Sequence, residues 1–222
     1  KCTHKGACTR LWNVLWHDQG GFGEHFKHVL PFQRINHFPG LVSLARKAGL
    51  AIKLSRMRRQ FPHEYKFAPR SWVLPMELAE FRREFAPNGK ANAGRIFILK
   101  PDAGAQGRGI FLTRKWTDVE RAVTGTGAGE QFVAQDYLAK PLLIDGLKFD
   151  LRLYVLVASV SPLRVYLFED GLVRMCTSAY AKPTASNLDD TCMHLTNYSI
   201  NKDSSNYIAD DAGDGSAGSK RS

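Results

Sequence analysis

Lys148, Asp150 and Arg152 alternate with apolar residues across 148–154, and in an extended strand every second side chain shares a face. One face would carry cation, anion and cation over roughly 13 Å. The other would bury Phe149, Leu151, Leu153 and Val155. A solvated strand accepts such a charged row. The stretch Val155-Leu156-Val157 that follows is apolar on both faces, which predicts a strand near the middle of a sheet. Charges carried into the middle of a domain are paired or bound to something. We therefore expect a row that faces a ligand.

A second cluster is Asp102-Ala103-Gly104-Ala105-Gln106-Gly107-Arg108-Gly109, whose glycines let backbone amides approach an anion closely. Lys100 before it and Arg108 within it add positive charge. The run lacks the Gly-Lys-Ser/Thr of a Walker loop and the glycine spacing of the dinucleotide fingerprint. It suits a flexible lid over a triphosphate, and it also suits a mobile hairpin tip without a ligand. A third cluster, Met193 to Lys202, is crowded with hydrogen-bonding side chains. Local side-chain to backbone bonds would make it a turn. At the mouth of a cleft it would bring His194, Thr196 and Asn197 to phosphates or substrate. Gln135 to Pro141 is a strand running into a proline stop, a connector whose backbone could read the edge of a base.

The elements that position these clusters follow from periodicity. Ile96–Leu99 and Ile110–Thr113 would flank the glycine loop as a hairpin. Leu41, Leu44, Ala45 and Ala48 recur at helical spacing, with Gly49 closing the segment. Helices are expected over 76–86 and 117–124, and a strand over 132–138. Arg164–Glu169 and Leu172–Thr177 would form a hairpin turned at Asp170-Gly171. Strands dominate the second half and helices flank them, an α+β class. Asp210 to Ser219 is small and polar, a flexible tail or inserted loop ending at Lys220-Arg221-Ser222 with no further element.

With 222 residues, 44% of them apolar, the chain can bury a real core. It has no long uncharged apolar run and no apolar segment at its start, so no membrane association is expected. Cys2, Cys8, Cys176 and Cys192 lack zinc spacing and read as free thiols in a reducing compartment. The formal net charge is +10. Much of the excess is Lys53, Arg56, Arg58, Arg59, Lys66 and Arg70, a solvated face or a surface for an acidic partner. These residues are not interleaved with aromatics in a recognition motif, so no nucleic-acid partner is expected.

Lys-Pro-Asp-x-Gly-x-Gln-Gly-Arg-Gly-Ile (100–110), Asp-Gly-x-Lys-Phe-Asp-x-Arg-x-Tyr-Val-Leu (145–156) and His-Leu-Thr-Asn-Tyr-Ser-Ile-Asn-Lys (194–202) resemble the tubulin tyrosine ligase-like enzymes, most closely the polyglutamylase branch. The likeness runs from about Ile35 to Asn206. It implies an ATP-grasp fold: an N-terminal α/β domain over 1–60, a central lobe with the glycine loop over 61–140, an incomplete C-terminal lobe over 141–208, and a flexible tail over 209–222. It also implies ATP and magnesium as cofactors. The reaction implied turns a glutamate side-chain carboxylate on an acidic tubulin tail into an acyl phosphate, which the amine of free glutamate attacks.

The resemblance further assigns residues. Lys47 and Lys100 would touch phosphates beneath Gln106, Gly107, Arg108 and Gly109. Gln135, Tyr137 and Leu138 would frame adenine with Lys148, and Asp150 would meet ribose or the incoming amino acid. Arg152 and Arg174 would hold carboxylates in bidentate fashion, and with His194 they form the expected catalytic set. Thr196 and Asn197 would complete the site, and Gln106 hints at chain elongation. A monomer in the cytoplasm and on the cytoskeleton is implied, with cilium or basal body as further locations. The Glu-x-Asn motif with which the family holds magnesium does not follow Asn201, so no metal ligand is assigned. Asp210, Asp211 and Asp214 are not promoted to that role. The chain alone is expected to be inactive. Alternatives are a tubulin glycine ligase and a non-catalytic basic module for acidic tubulin tails.

Overall fold

Period-two alternation in four short segments builds the first sheet. Its strands are β3 (Ser71–Leu74), β4 (Phe97–Pro101), β5 (Phe111–Thr113) and β6 (Phe132–Asp136). All neighbours are antiparallel, in the order β3-β6-β4-β5. The computed structural model describes residues 12–17, 26, 29–86, 88, 94–125, 130–209 and 218–221. One face of this sheet contributes Trp72, Leu74, Phe97, Leu99, Phe132 and Ala134 to the main core. Helices α3 (Leu78–Arg83) and α4 (Trp116–Gly125) cover it with Phe81 and Val119, both at 0% exposure. The ring centroids of Phe81 and Phe97 stand 5.0 Å apart at 86°, an edge-to-face contact.

On the opposite face Val73 and Val133 pack against Ala48 and Ala51 of the long helix α2 (Lys47–Gln60). A short helix, α1 (Val42–Ala45), precedes it and is interrupted by the extended residue Arg46. Gly49 does not close this segment as periodicity suggested; helix α2 passes straight through it. Its lack of a side chain instead admits the backbone of Ser43, whose carbonyl would collide with a Cβ. A two-residue parallel pair, β1 (Val14–Leu15) with β2 (Arg34–Ile35), lies before these helices.

The second sheet has the order β10-β9-β8-β7, from β7 (Leu143–Ile144), β8 (Leu147–Val160), β9 (Leu163–Met175) and β10 (Lys220–Arg221). Helices α5 (Thr191–His194) and α6 (Tyr198–Asn201) follow β9. Three expectations change here. The hairpin turns at 161–162 rather than at Asp170-Gly171, and β9 runs unbroken past that dipeptide. Gly171 faces the carbonyl of Arg152, and a Cβ there would sit 2.6 Å from it, so the glycine permits a close strand crossing. Val155–Val157 is not a mid-sheet strand: beyond Lys148, β8 pairs with β9 alone. Among the described residues nothing covers that stretch, and Val155 is 58% and Leu156 63% exposed. Finally, Lys220 and Arg221 are an ordered strand on β9 rather than the end of a featureless tail; residues 210–217 lie outside the described residues.

Candidate functional site

The face of the first sheet away from the aromatic core presents Ser71, Ile98, Lys100, Val133 and Gln135. Ser71 and Ile98 both pair with Gln135, and Lys100 pairs with Val133. Opposite stand Lys148 and Asp150 of β8 and the block after α5. Between them is a cleft of about 400 Å³. It gathers Lys47, Lys100, Gln135, Lys148, Asp150, His194, Thr196 and Asn197. Leu50, Leu54, Ile98, Ile110, Val133 and Leu195 give it apolar walls.

Most of these polar groups are tightly partnered. Lys100 Nζ donates to Gln135 Oε1 at 2.8 Å, and Gln135 Nε2 donates to Ser71 Oγ at 2.8 Å. Lys148 Nζ donates to the Tyr137 hydroxyl at 3.0 Å and the His194 carbonyl at 2.9 Å, lying 4.4 Å from the Tyr137 ring centroid. Burial lowers the pKa of the Lys100 ammonium, and the nearby Lys47 charge adds to this. Burial lowers Lys148 as well, with Lys100 opposing its charge and Asp150 supporting it. Two cations are thus held where burial disfavours their charge.

Asp150 is directly across from Arg174 in register, so both project from one face. Arg174 grips it in bidentate fashion at 2.7 and 2.5 Å, and Thr196 Oγ1 donates to the same carboxylate at 2.8 Å. His194 is 1% exposed. Its Nε2 faces the carbonyl of Asn187 at 2.9 Å and must donate. Its Nδ1 then accepts from the Tyr137 hydroxyl at 2.8 Å. Burial keeps the ring below its usual pKa and so neutral, as this pairing needs. With both nitrogens engaged, His194 positions Tyr137 and, through it, Lys148.

Lys47, expected at phosphates, donates to three backbone carbonyls of the glycine loop: Pro101 at 2.8 Å, Asp102 at 3.2 Å and Gly104 at 2.5 Å. Asp102 Oδ1 accepts from Ala48 N at 2.8 Å. Helix α2 has no side-chain cap of its own at Arg46, so Asp102 satisfies its first turn from across the fold. The loop is therefore tied down at its root. Gln106 and Gly107 in its tip meet the 197–200 segment, while Arg108 and Gly109 are exposed. Arg152 lies exposed on β8 and Leu138 is 63% exposed; neither lines the cleft.

The basic run divides. Arg70 grips Glu84 with two nitrogens at 3.1 and 3.0 Å and meets Asp136 at 3.0 Å. Burial alone would lower its pKa, but these carboxylates raise it overall. Arg58 donates to the carbonyls of Tyr65 and Ala68. Lys53, Arg56, Arg59 and Lys66 remain exposed. Cys176 and Cys192 are free thiols, and burial pushes Cys176 up to about 12; Cys2 and Cys8 lie outside the described residues. No helix among the described residues is long and apolar enough to cross a membrane.

Residues 25–222 match the family model of the tubulin-tyrosine ligase family. The chain belongs to that family. It is 48% identical over 195 residues to a probable beta-tubulin polyglutamylase of Tetrahymena thermophila, covering 88% of this chain and 16% of that protein. It is 44% identical over 210 residues to tubulin polyglutamylase ttll6 of Danio rerio, covering 95% of this chain and 25% of that protein. With human tubulin polyglutamylase TTLL11 it shares 43% over 211 residues, 94% of this chain and 29% of that protein. The chain thus spans less than a third of the length of these relatives.

Sequence reasoning passed over four residues that hold this family site together. Asp102 and Ser71 support the lysines through helix α2 and Gln135. Asn201 and Ser199, inside the third motif, fix the block to its neighbours. Asp102 had a local signal, a carboxylate directly before a glycine loop. For the others the partner lies far along the chain and no spacing announces it.

Proposed function

We propose that this chain is the nucleotide-binding part of an ATP-dependent tubulin polyglutamylase, with two ATP-grasp lobes formed by the two sheets. The observation that carries this is charge imbalance: three ammonium groups converge on a cleft whose one lining carboxylate, Asp150, is already paired with Arg174. An apolar wall beside clustered cations suits a planar base joined to a polyphosphate. Bound ATP would supply the phosphoryl group that activates a carboxylate for attack by an amine. Lys100 and Lys148 would hold phosphate and base edge, Lys47 would keep the loop seated, and Thr196 with Arg174 would orient Asp150. Charge neutralisation and positioning would carry most of the rate. The relatives' names favour glutamate over glycine and an acidic tubulin tail as acceptor, and the working protein would act at the cytoskeleton. Magnesium finds no cradle among the described residues: no group of three or more acidic, His or Cys side chains is gathered there. No step is assigned to it.

Titration with a non-hydrolysable ATP analogue tests the reading. Lys100→Ala should abolish measurable binding, and unchanged affinity would overturn it. Binding should also take up protons, because the analogue raises lysine pKa values that burial has lowered. Uptake should grow as pH rises toward 10.5, read by calorimetry in buffers of different ionisation enthalpy. A second reading rests on the exposed Lys53, Arg56 and Arg59 of α2, which could hold acidic tails. Tail-peptide affinity that falls steeply with salt, and is lost when those three are changed together, would support it.

A further inference from the structure

The root of the glycine loop is held by Lys47, but its tip is held by something else. Ser199 Oγ, on α6, donates to the carbonyl of Gln106 at 2.5 Å. Gln106 has φ 61°, a left-handed conformation that a residue other than glycine keeps only when its surroundings fix it. Gly107 follows at φ 83°, and a Cβ there would sit 2.5 Å from Ile200 Cδ1 and 3.2 Å from Asn197 Cγ. The tip is thus packed against the 197–200 segment, where a side chain at 107 would have to displace the end of the Ile200 side chain. That segment is itself immobilised, because the buried Asn201 joins it to Thr177. A loop that belongs to the first sheet is therefore pinned, through one hydroxyl and one glycine contact, to the block that presents Thr196 and Asn197.

We propose that Ser199 is a positioning residue that latches the glycine loop shut across the cleft. Its hydroxyl sets the population of closed loop, and the closed loop sets how long a nucleotide stays. The second clause rests on the nucleotide reading of the cleft; the latch itself does not. One hydrogen bond of ordinary net strength implies roughly a 3- to 10-fold change in the open population.

Arg108, exposed in the same loop, offers a direct readout, since trypsin cleaves after arginine. When closing outpaces cleavage, the rate of cutting follows the open population. In the 222-residue chain without nucleotide, Ser199→Ala should speed cleavage after Arg108 about 3- to 10-fold. Cleavage after Arg56 and Arg59 in α2 should be unchanged. Ser199→Thr, which keeps a hydroxyl, should return the rate to near the wild-type value. Gly107→Ala, which strains the left-handed backbone at φ 83° while leaving the serine in place, should also open the loop. With a fluorescent ATP analogue bound, Ser199→Ala should raise the dissociation rate by a similar factor.

A wild-type cleavage rate in Ser199→Ala, or a threonine variant that fails to rescue, would overturn the latch. So would equal acceleration at the α2 sites, which would signify general loosening. An opened loop with unchanged analogue dissociation would overturn the positioning role. If the wild-type chain binds no analogue at all, the nucleotide reading fails, while the tryptic rates still decide the latch.

Discussion

Lys148→Met should weaken binding of an ATP analogue by about 10- to 150-fold, the loss of one buried charge-assisted hydrogen bond. The same change should leave thermal stability intact or raise it. In the empty cleft the Lys148 ammonium is disfavoured by burial and by Lys100, while methionine keeps the apolar stem without the charge. Tyr137 still donates to His194 Nδ1, so the wall survives. The pH dependence separates this from general damage. A lysine whose folded pKa lies below its unfolded value costs stability at low pH, and that cost fades as pH rises through the folded pKa toward 10.5. Wild type should therefore gain stability over that alkaline range, and Lys148→Met should gain less. Equal analogue affinity in the two proteins would mean that the charged row of β8 does not meet the ligand. Binding strength and resting stability are opposed at this residue, as expected where a site waits for a charged partner.

The row Lys148-x-Asp150 was legible because strand periodicity fixes which side chains share a face, whatever the strand packs against. Lys100 was legible as a cation at the end of a strand that leads into the glycine loop, and Gln135 through the family resemblance; in the structure both fall on the face of the first sheet opposite Leu99 and Ala134, which the core claims. The limits of the charged row were not legible. Arg152 obeys the same period, yet it is exposed on a stretch that pairs with β9 alone, and only Lys148 and Asp150 of the row line the cleft. Period two reports a face and says nothing of how far a neighbouring strand accompanies it. Asp170-Gly171 failed differently. The dipeptide is a strong turn signal, but the glycine is needed because Arg152's carbonyl approaches it, a long-range contact that local preference cannot foresee. Lys47 and His194 both line the cleft, each held by protein partners. Three carbonyls occupy one and two protein partners the other, and residue type alone does not distinguish a ligand-binding cation or imidazole from a satisfied one.

Asn201→Ala should be among the most damaging single changes in the second half of the chain. Asn201 is 1% exposed and makes four hydrogen bonds. Its Oδ1 accepts from the backbone and the hydroxyl of Thr177, each at 2.9 Å. Its Nδ2 donates to the carbonyls of Leu195 at 2.7 Å and Asn197 at 3.0 Å. Alanine would leave the Thr177 hydroxyl and the Leu195 carbonyl without partners in a place water reaches poorly, while Thr177 N keeps the Cys192 carbonyl and the Asn197 carbonyl keeps the amides of Ile200 and Asn201. Buried unmet groups are costly, so a loss of about 2–4 kcal/mol is expected from these two. For a chain of this size that lowers the melting temperature by roughly 10 °C. Asn201 also joins the end of β9 to the segment bearing Thr196 and Asn197, so its loss should free that segment before the first sheet melts. Hydrogen exchange should show early opening of residues 194–201 while the amides of β3, β4 and β6 stay protected. Ser199→Ala, by contrast, should open the loop tip and leave the 194–201 amides slow. Uniform exchange across both sheets, or an unchanged melting temperature in Asn201→Ala, would show that the block is held by its apolar contacts through Leu195 and Ile200 instead.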